Sequence, residues 1–234
     1  MNRIIFSPHL DDAALDCTDH IQAWKKDGDD VTIVTIFTKL TAKVLSHDTK
    51  MYIQNSGFSN SVTFQSGRAA EDKAAMSELE CKYEYLDFLD AGFRPTYGNF
   101  KNLFSGKFID QDQELIRQVS QAMTKWRKEK QTIFYLPFGV GNHADHLITK
   151  KSGEIALQAS QISYYLDFPY AQHVSNWMKV DKKKWIDFLR AKKSHLWTSE
   201  FKKHVLEKYS SQMPLLFNDP NTYRFPEVIF RCQK

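Results

Sequence analysis

Cysteine is scarce and unpatterned in this chain. Cys17, Cys81 and Cys232 are the only three among 234 residues, an odd number, far apart and without a Cys-x-x-Cys pair. A disulfide framework and a thiolate zinc knuckle are thereby excluded, and the expectation is buried, reduced thiols. No apolar run approaches the roughly 18 residues of a membrane span. The amino terminus enters a strand-like segment without the basic-then-apolar layout of a signal peptide. A soluble, cytoplasmic protein with no integral membrane segment is expected. No Gly-x-Gly-x-x-Gly follows the first strand, so dinucleotide binding lacks a motif, and there is neither a repeat nor a low-complexity segment. Charge of neither sign dominates: 32 Lys and Arg against 28 Asp and Glu leave +4. Most of the excess lies at Lys182, Lys183 and Lys184, at Lys192 and Lys193, and at Lys202 and Lys203. Such runs read as wet helix faces, with no nucleic acid as partner.

What is present is hydrophobic periodicity that switches between two repeats. The apolar content of 42% over 234 residues supports one substantial core and demands no second domain, so residues 1–234 are taken as one unit. Arg3 to Ser7 reads as a buried strand and Ala13 to Lys26 as a helix, with Ala14, Cys17, Ile21 and Trp24 on one face. Val31 to Phe37 is β-branched enough for a second parallel strand. Residues 40–66 lack periodicity and read as a long loop, as do the aromatic and Gly/Asn-containing residues 93–109; loops of that kind form lids and substrate walls. Helices are expected at Ser66 to Cys81, Gln111 to Lys130, Ala144 to Ala159 and, once or twice, Lys182 to Tyr209. Strands are expected at Tyr83 to Phe88, 132–136, Ile162 to Leu166 and Glu227 to Cys232. The alternation implies an α/β three-layer domain with a mostly parallel sheet.

Two segments carry chemistry. Pro8-His9-Leu10-Asp11-Asp12 follows the first strand, and Asn142-His143-Ala144-Asp145-His146 follows the strand at 132–136. Ligands of α/β sheets gather at the carboxyl ends of parallel strands. A catalytic zinc takes roughly three His or carboxylate ligands and leaves a position for water. His9, Asp12 and His146 would supply that set. Asp11 would then accept the proton of a water whose pKa the ion lowers from about 15.7 to about 7. His143, one turn before His146, would stabilise an oxyanion or protonate a leaving group, and Asp145 would orient His143 or a ligand. The structural alternatives are an Asp-Asp helix cap and a surface His pair.

The segments Ser7 to Ala13 and Leu136 to His146 together resemble the PIG-L/LmbE-like family of zinc-dependent de-N-acetylases. Weaker resemblance lies in Arg68-Ala69-Ala70-Glu71-Asp72, in Leu86 to Gly92 with its Asp90, and in Tyr165 to Tyr170. The resemblance covers about residues 3–170. It implies a Rossmann-like fold and hydrolysis of an acetamido group, usually on an amino sugar such as N-acetylglucosamine. His9, Asp12 and His146 match the family's metal ligands, Asp11 its general base and His143 its oxyanion-stabilising or acid residue. Arg68 and Asp90 would contact substrate, unless Arg68 forms a structural salt bridge and Asp90 a turn. Tyr170 would line the mouth of the site, with His173 on the surface. Two positions depart from the family pattern: Leu10 stands where Pro is usual, and Ala13 where an acidic residue is usual.

The expected enzyme is a zinc-dependent de-N-acetylase, with Fe2+ or another divalent ion as the alternative occupant. Its partner is a small-molecule N-acetylated sugar or glycoconjugate. The rival readings are a metal-dependent hydrolase of another bond, such as a phosphoester, and a sugar- or nucleotide-binding module without turnover. Neither the individual substrate nor the oligomeric state follows from the sequence.

Overall fold

A computed structural model describes residues 1–97, 99–127, 131–217 and 225–232. β1 (Asn2–Ser7) leads through a tight loop into α1 (Asp12–Lys26), and β2 (Asp30–Thr35) follows. Ile4 and Phe6 pack in one apolar cluster with Val34 and Phe134, while Ile5 packs in another with Ala14 and Cys17. A strand covered on both faces has no reason to alternate, which is why its apolar run is unbroken.

The chain continues through α2 (His47–Asn55), α3 (Ser61–Leu79) and β3 (Lys82–Tyr85) to 3-10 turns at Ala91–Phe93 and Pro95–Tyr97. Next come α4 (Phe100–Leu103), α5 (Asp110–Met123), β4 (Thr132–Pro137), α6 (Ala144–Ala156) and β5 (Ile162–Tyr165). The last third holds α7 (Val174–Trp177), α8 (Lys182–Arg190), β6 (Lys192–Leu196), α9 (Glu200–Leu206), α10 (Met213–Leu216) and β7 (Glu227–Arg231).

Among the described residues seven strands form one sheet in the order β3-β2-β1-β4-β5-β7-β6. β3, β2, β1, β4 and β5 are parallel neighbours, and β7 runs antiparallel to both β5 and β6. One face is covered by α1, α3 and α9, whose side chains join the cluster of Ile5, Tyr135 and Phe230. The other is covered by α5 and α6 through Ile116, Val119, Met123 and Ile148. The three-layer Rossmann-like αβα architecture follows. From β1 the strand order runs outward one way to β3 and the other way to β5, so the topological switch point lies between β1 and β4. Both motif loops leave the sheet there.

Several local expectations are corrected. Residues 40–66 are not a structureless loop: Ser46 caps α2 by accepting from Thr49 N, and Asn60 begins α3 with a capping box. Residues 93–109 hold 3-10 turns and α4, with Gly98 outside the described residues. The helix from Gln111 stops at Met123 and finishes in a 3-10 turn, Thr124–Trp126; residues 128–130 lie outside the described residues. The strand expected to reach Phe88 ends at Tyr85, and the helix expected to reach Ala159 ends at Ala156. The basic segment 182–209 contains edge strand β6 between two helices. Lys202, expected on a wet face, is fully buried, with Nζ 3.0 Å from Glu227 Oε1. All three cysteines are free, but only Cys17 is fully buried. Among the described residues no helix is long and apolar enough to cross a membrane.

Candidate metal centre

The β1 exit loop is held by Ser7, whose Oγ donates to His9 O (2.7 Å) and accepts from Ala13 N (3.0 Å). Leu10, in place of the usual ring, is buried among Leu40, Ile53, Phe64 and Phe93, so packing fixes the loop where proline stiffness does not. His9 N donates to Asp12 Oδ2 (2.8 Å), and the His9 ring nitrogen Nδ1 lies 3.1 Å from the same oxygen. His146 Nε2 approaches it from α6 at 3.4 Å. Two imidazole nitrogens from different strand ends thus converge on one carboxylate.

Each of these imidazoles is backed by a second carboxylate. His146 Nδ1 is 2.7 Å from Asp167 Oδ1, and Asp167 Oδ2 accepts from Gly139 N and Val140 N. The proton is therefore on Nδ1, leaving the Nε2 lone pair free, and that buried nitrogen has no hydrogen-bond partner. His9 Nε2 lies 3.1 Å from Asp145 Oδ2, with Asp90 Oδ2 at 3.5 Å. Carboxylates in this position set ring orientation and tautomer in metal-binding histidines.

Electrostatics points the same way. Burial lowers the pKa values of His9 and His146, but Asp12, Asp145 and Asp90 around His9, and Asp12 and Asp167 around His146, outweigh it and the net shift is upward. Burial conversely raises Asp12 and Asp145; His146 and His9 near Asp12, and Arg94 near Asp145, drive both below the usual carboxylate range. A field that draws protons onto buried imidazoles draws a metal cation as well. Among the described residues, two groups each bring their ligand atoms within 4.8 Å of one another: His9, His143 and His146, and His9, Asp90 and Asp145. Asp12 is in neither group, although its Oδ2 lies against both His9 Nδ1 and His146 Nε2, while His143 Nδ1 accepts from Asp145 N (3.2 Å).

That same contact decides what His143 offers. With Nδ1 accepting, the neutral ring carries its proton on Nε2, as a donor. Burial, then the neighbouring His9 and His146, lower the His143 pKa well below its usual value. Its ring lies 5.2 Å from that of His146, as the one-turn spacing requires. The carboxylate of Asp145 does not orient His143; it accepts from Ala91 N (2.8 Å) and pairs with Arg94 Nη2 (2.7 Å) as well as facing His9.

Asp11 caps α1 without a side-chain cap hydrogen bond, which leaves its carboxylate for Arg68, whose Nη2 is 3.3 Å from Oδ2. Arg68 is buried and keeps Nε and Nη1 without partners, so it is an ion pair and a source of free donors together. Asp90 likewise accepts from Gly92 N in its turn (2.7 Å) and faces His9. Tyr170 stacks edge-on to His146 at 5.6 Å, and Gly141, at φ +91°, has no room for a Cβ against its ring. His9, Asp11, Asp12, Arg68, Asp90, His143 and Tyr170 line one cavity of about 500 Å³, with Asp145 and His146 buried behind them. His173 is exposed, as expected. Sequence reasoning assigned no role to Asp167 or Arg94. Asp167, at the end of the strand next to β4, carried a positional signal; Arg94, within an aromatic segment, carried none.

Comparison with known proteins follows the same residues. The family model of the GlcNAc-PI de-N-acetylases, PIG-L, matches residues 4–158. The chain belongs to the PIG-L family. No curated protein matches it significantly in sequence. Among solved structures, a teicoplanin deacetylase in its zinc-inhibited form is 21% identical over 98% of this chain and 97% of that one, with a TM-score of 0.76. The N,N'-diacetylchitobiose deacetylase of Pyrococcus horikoshii is 15% identical over 99% and 83%, at 0.52. A 4-carboxy-2-hydroxymuconate hydratase from Pseudomonas putida is 12% identical over 95% and 82%, at 0.55. This PIG-L protein therefore shares its fold with enzymes of more than one reaction type, and its chemistry has to be argued from the site.

Proposed function

We propose that this PIG-L protein removes the N-acetyl group from an amino sugar or amino-sugar conjugate, with zinc as the favoured ion. The observation that carries this reading is the convergence of His9 Nδ1 and His146 Nε2 on Asp12 Oδ2, with Asp11 one residue away in the same cavity. Two imidazoles and one carboxylate suit zinc, though Fe2+ tolerates the same donors. A divalent ion there supplies Lewis acidity, activating water and polarising the acetyl carbonyl.

The chain's own groups do the rest. Arg68 Nη2 orients the Asp11 carboxylate, which takes a proton from the attacking water. His143 Nε2–H donates to the negative charge that develops on the carbonyl oxygen, its orientation set by the Asp145 amide. Asp11 returns its proton to the departing amine, since His143, neutral and committed at Nδ1, is a donor rather than an acid. Arg68 lines the cavity beside Asp11, where its guanidinium would face substrate hydroxyls. Support for the acetylated sugar comes from the family match and from the deacetylase neighbours.

The test is acetate release from a panel of N-acetylated amino sugars and conjugates by protein as purified, after chelation and after zinc restoration. Activity should vanish with the metal and return with zinc. Asp11→Asn should keep metal and lose about 100-fold or more in kcat, whereas His146→Ala should lose the metal itself. An Asp11→Asn variant with wild-type turnover would remove Asp11 as the base.

A further inference from the structure

A second set of reactive side chains meets where α1 crosses the antiparallel end of the sheet, and none of them lines the cavity of the metal centre. Ser194 lies on edge strand β6 opposite Ile229, which puts it on the same face as Glu227 of β7. His20 of α1 lies between the two. Its Nε2 is 3.1 Å from Ser194 Oγ, and its Nδ1 is 2.9 Å from Glu227 Oε2.

Glu227 fixes what the imidazole presents. The buried carboxylate accepts from the backbone N–H of Asp19 (2.9 Å) and of His20 itself (3.0 Å), with Lys202 Nζ 3.0 Å from Oε1. Lys202, then His20, hold it below the ordinary carboxyl range. An ionised carboxylate can only accept, so Nδ1 carries the ring proton and Nε2 keeps its lone pair. That lone pair meets the hydroxyl of Ser194. His20 is 3% exposed, whereas Ser194 is open to solvent. Nucleophile, base and orienting group thus stand in sequence within hydrogen-bond reach. β6 ends the sheet, and antiparallel pairing turns alternate N–H groups to the open side. An outward N–H therefore belongs either to Ser194 itself or to Lys193 and His195 beside it, close enough to meet an oxyanion formed at Ser194.

We propose that Ser194, His20 and Glu227 form a second catalytic site, one that hydrolyses small carboxylic esters without a metal. Ser194 Oγ attacks the ester carbonyl carbon as its proton passes to His20 Nε2. The bond to the alcohol oxygen then breaks, and the alcohol leaves with that proton. Water attacks the acyl-serine, giving a proton to the same nitrogen; the Ser194 oxygen recovers it as the carboxylic acid departs. Glu227 stays a carboxylate throughout, holding Nδ1–H and stabilising the imidazolium. This site shares no residue with the metal centre, so it stands or falls apart from the deacetylase reading.

The experiment follows p-nitrophenolate release from p-nitrophenyl acetate by zinc-loaded and by chelator-treated protein, and maps fluorophosphonate labelling by mass spectrometry. Steady release should persist after chelation and fall about 100-fold or more in Ser194→Ala and in His20→Gln. The fluorophosphonate should modify Ser194 about 100-fold or more faster than the exposed Ser66. Circular dichroism checks the fold of both variants, and Ser194→Ala, which removes one exposed hydroxyl, carries the test if His20→Gln does not fold. Release that survives Ser194→Ala, or that stops on chelation, overturns the second site. Labelling of Ser194 no faster than Ser66 overturns it too, being the result expected of a hydroxyl that only ties β6 to α1.

Discussion

Asp12 Oδ2 meets His9 Nδ1, His9 N and His146 Nε2 within 3.4 Å, a crowding of donors and lone pairs that a cation between them would rationalise. Asp145 and Asp167 grip the far nitrogens of the two imidazoles. Weakening such a grip costs about 10–100-fold in metal affinity. Asp167→Asn should therefore release zinc to a chromophoric competitor about that much more readily while the protein stays folded; unchanged affinity would reduce Asp167 to a loop clasp for Gly139 and Val140. The sequence exposed the inner residues, because His9, Asp12 and His146 stand in compact motifs at strand ends. It hid their backing, because Asp167 is 21 residues from His146 and Asp145 serves a histidine 136 residues away.

At the scale of elements, the carboxy-terminal third is fastened to α1 by a buried charge. Glu227 on β7 accepts from the backbone N–H of Asp19 and His20, from His20 Nδ1 at 2.9 Å, and faces Lys202 of α9. Burial raises the Glu227 carboxyl, while Lys202 and then His20 bring it below the ordinary range. Glu227→Ala should lower unfolding free energy by about 3–5 kcal/mol, since it strands a buried lysine. Lys202→Met should cost less, because the carboxylate keeps its N–H donors; denaturant melts compare them, and equal losses would refute the ranking. None of this was legible in Lys202-Lys203, where adjacent lysines look alike though only one points inward. β6 was missed for a related reason: much of Lys192–Leu196 is exposed, so the edge strand has little apolar alternation to read. β1, α1, β4 and α6 were legible because both sides of β1 and one face of α1 are pressed into the core.

At the scale of the whole molecule, Asp72 on α3 ties distant parts together, accepting from Tyr85 OH (2.6 Å) at the end of β3 and from Tyr209 OH (2.7 Å) after α9. Burial pushes its carboxyl up to about 6, against the pull of both tyrosines and Arg68. That exceeds the roughly 3.9 of an unfolded aspartate, so the stability it contributes is full below about pH 4 and is lost as pH rises through 6. Between pH 4 and 7.5 the wild type should lose on the order of 3 kcal/mol more than Asp72→Asn; parallel denaturation profiles would show that Asp72 does not titrate in that window. The family match covers residues 4–158, whereas Asp167, Tyr170, Gln212 and Leu215 lie beyond it. The pairing of β1 with β4, from Asn2↔Thr132 to Ile5↔Tyr135, sets all of this in place. A slip of one residue would carry the two loops about 3.3 Å apart and turn the β1 side chains to the opposite face. His9 and His146 would then no longer share Asp12. An ion bound by these atoms is thus a proofreader of how the chain was wound, retained only by molecules whose two halves joined in the correct register.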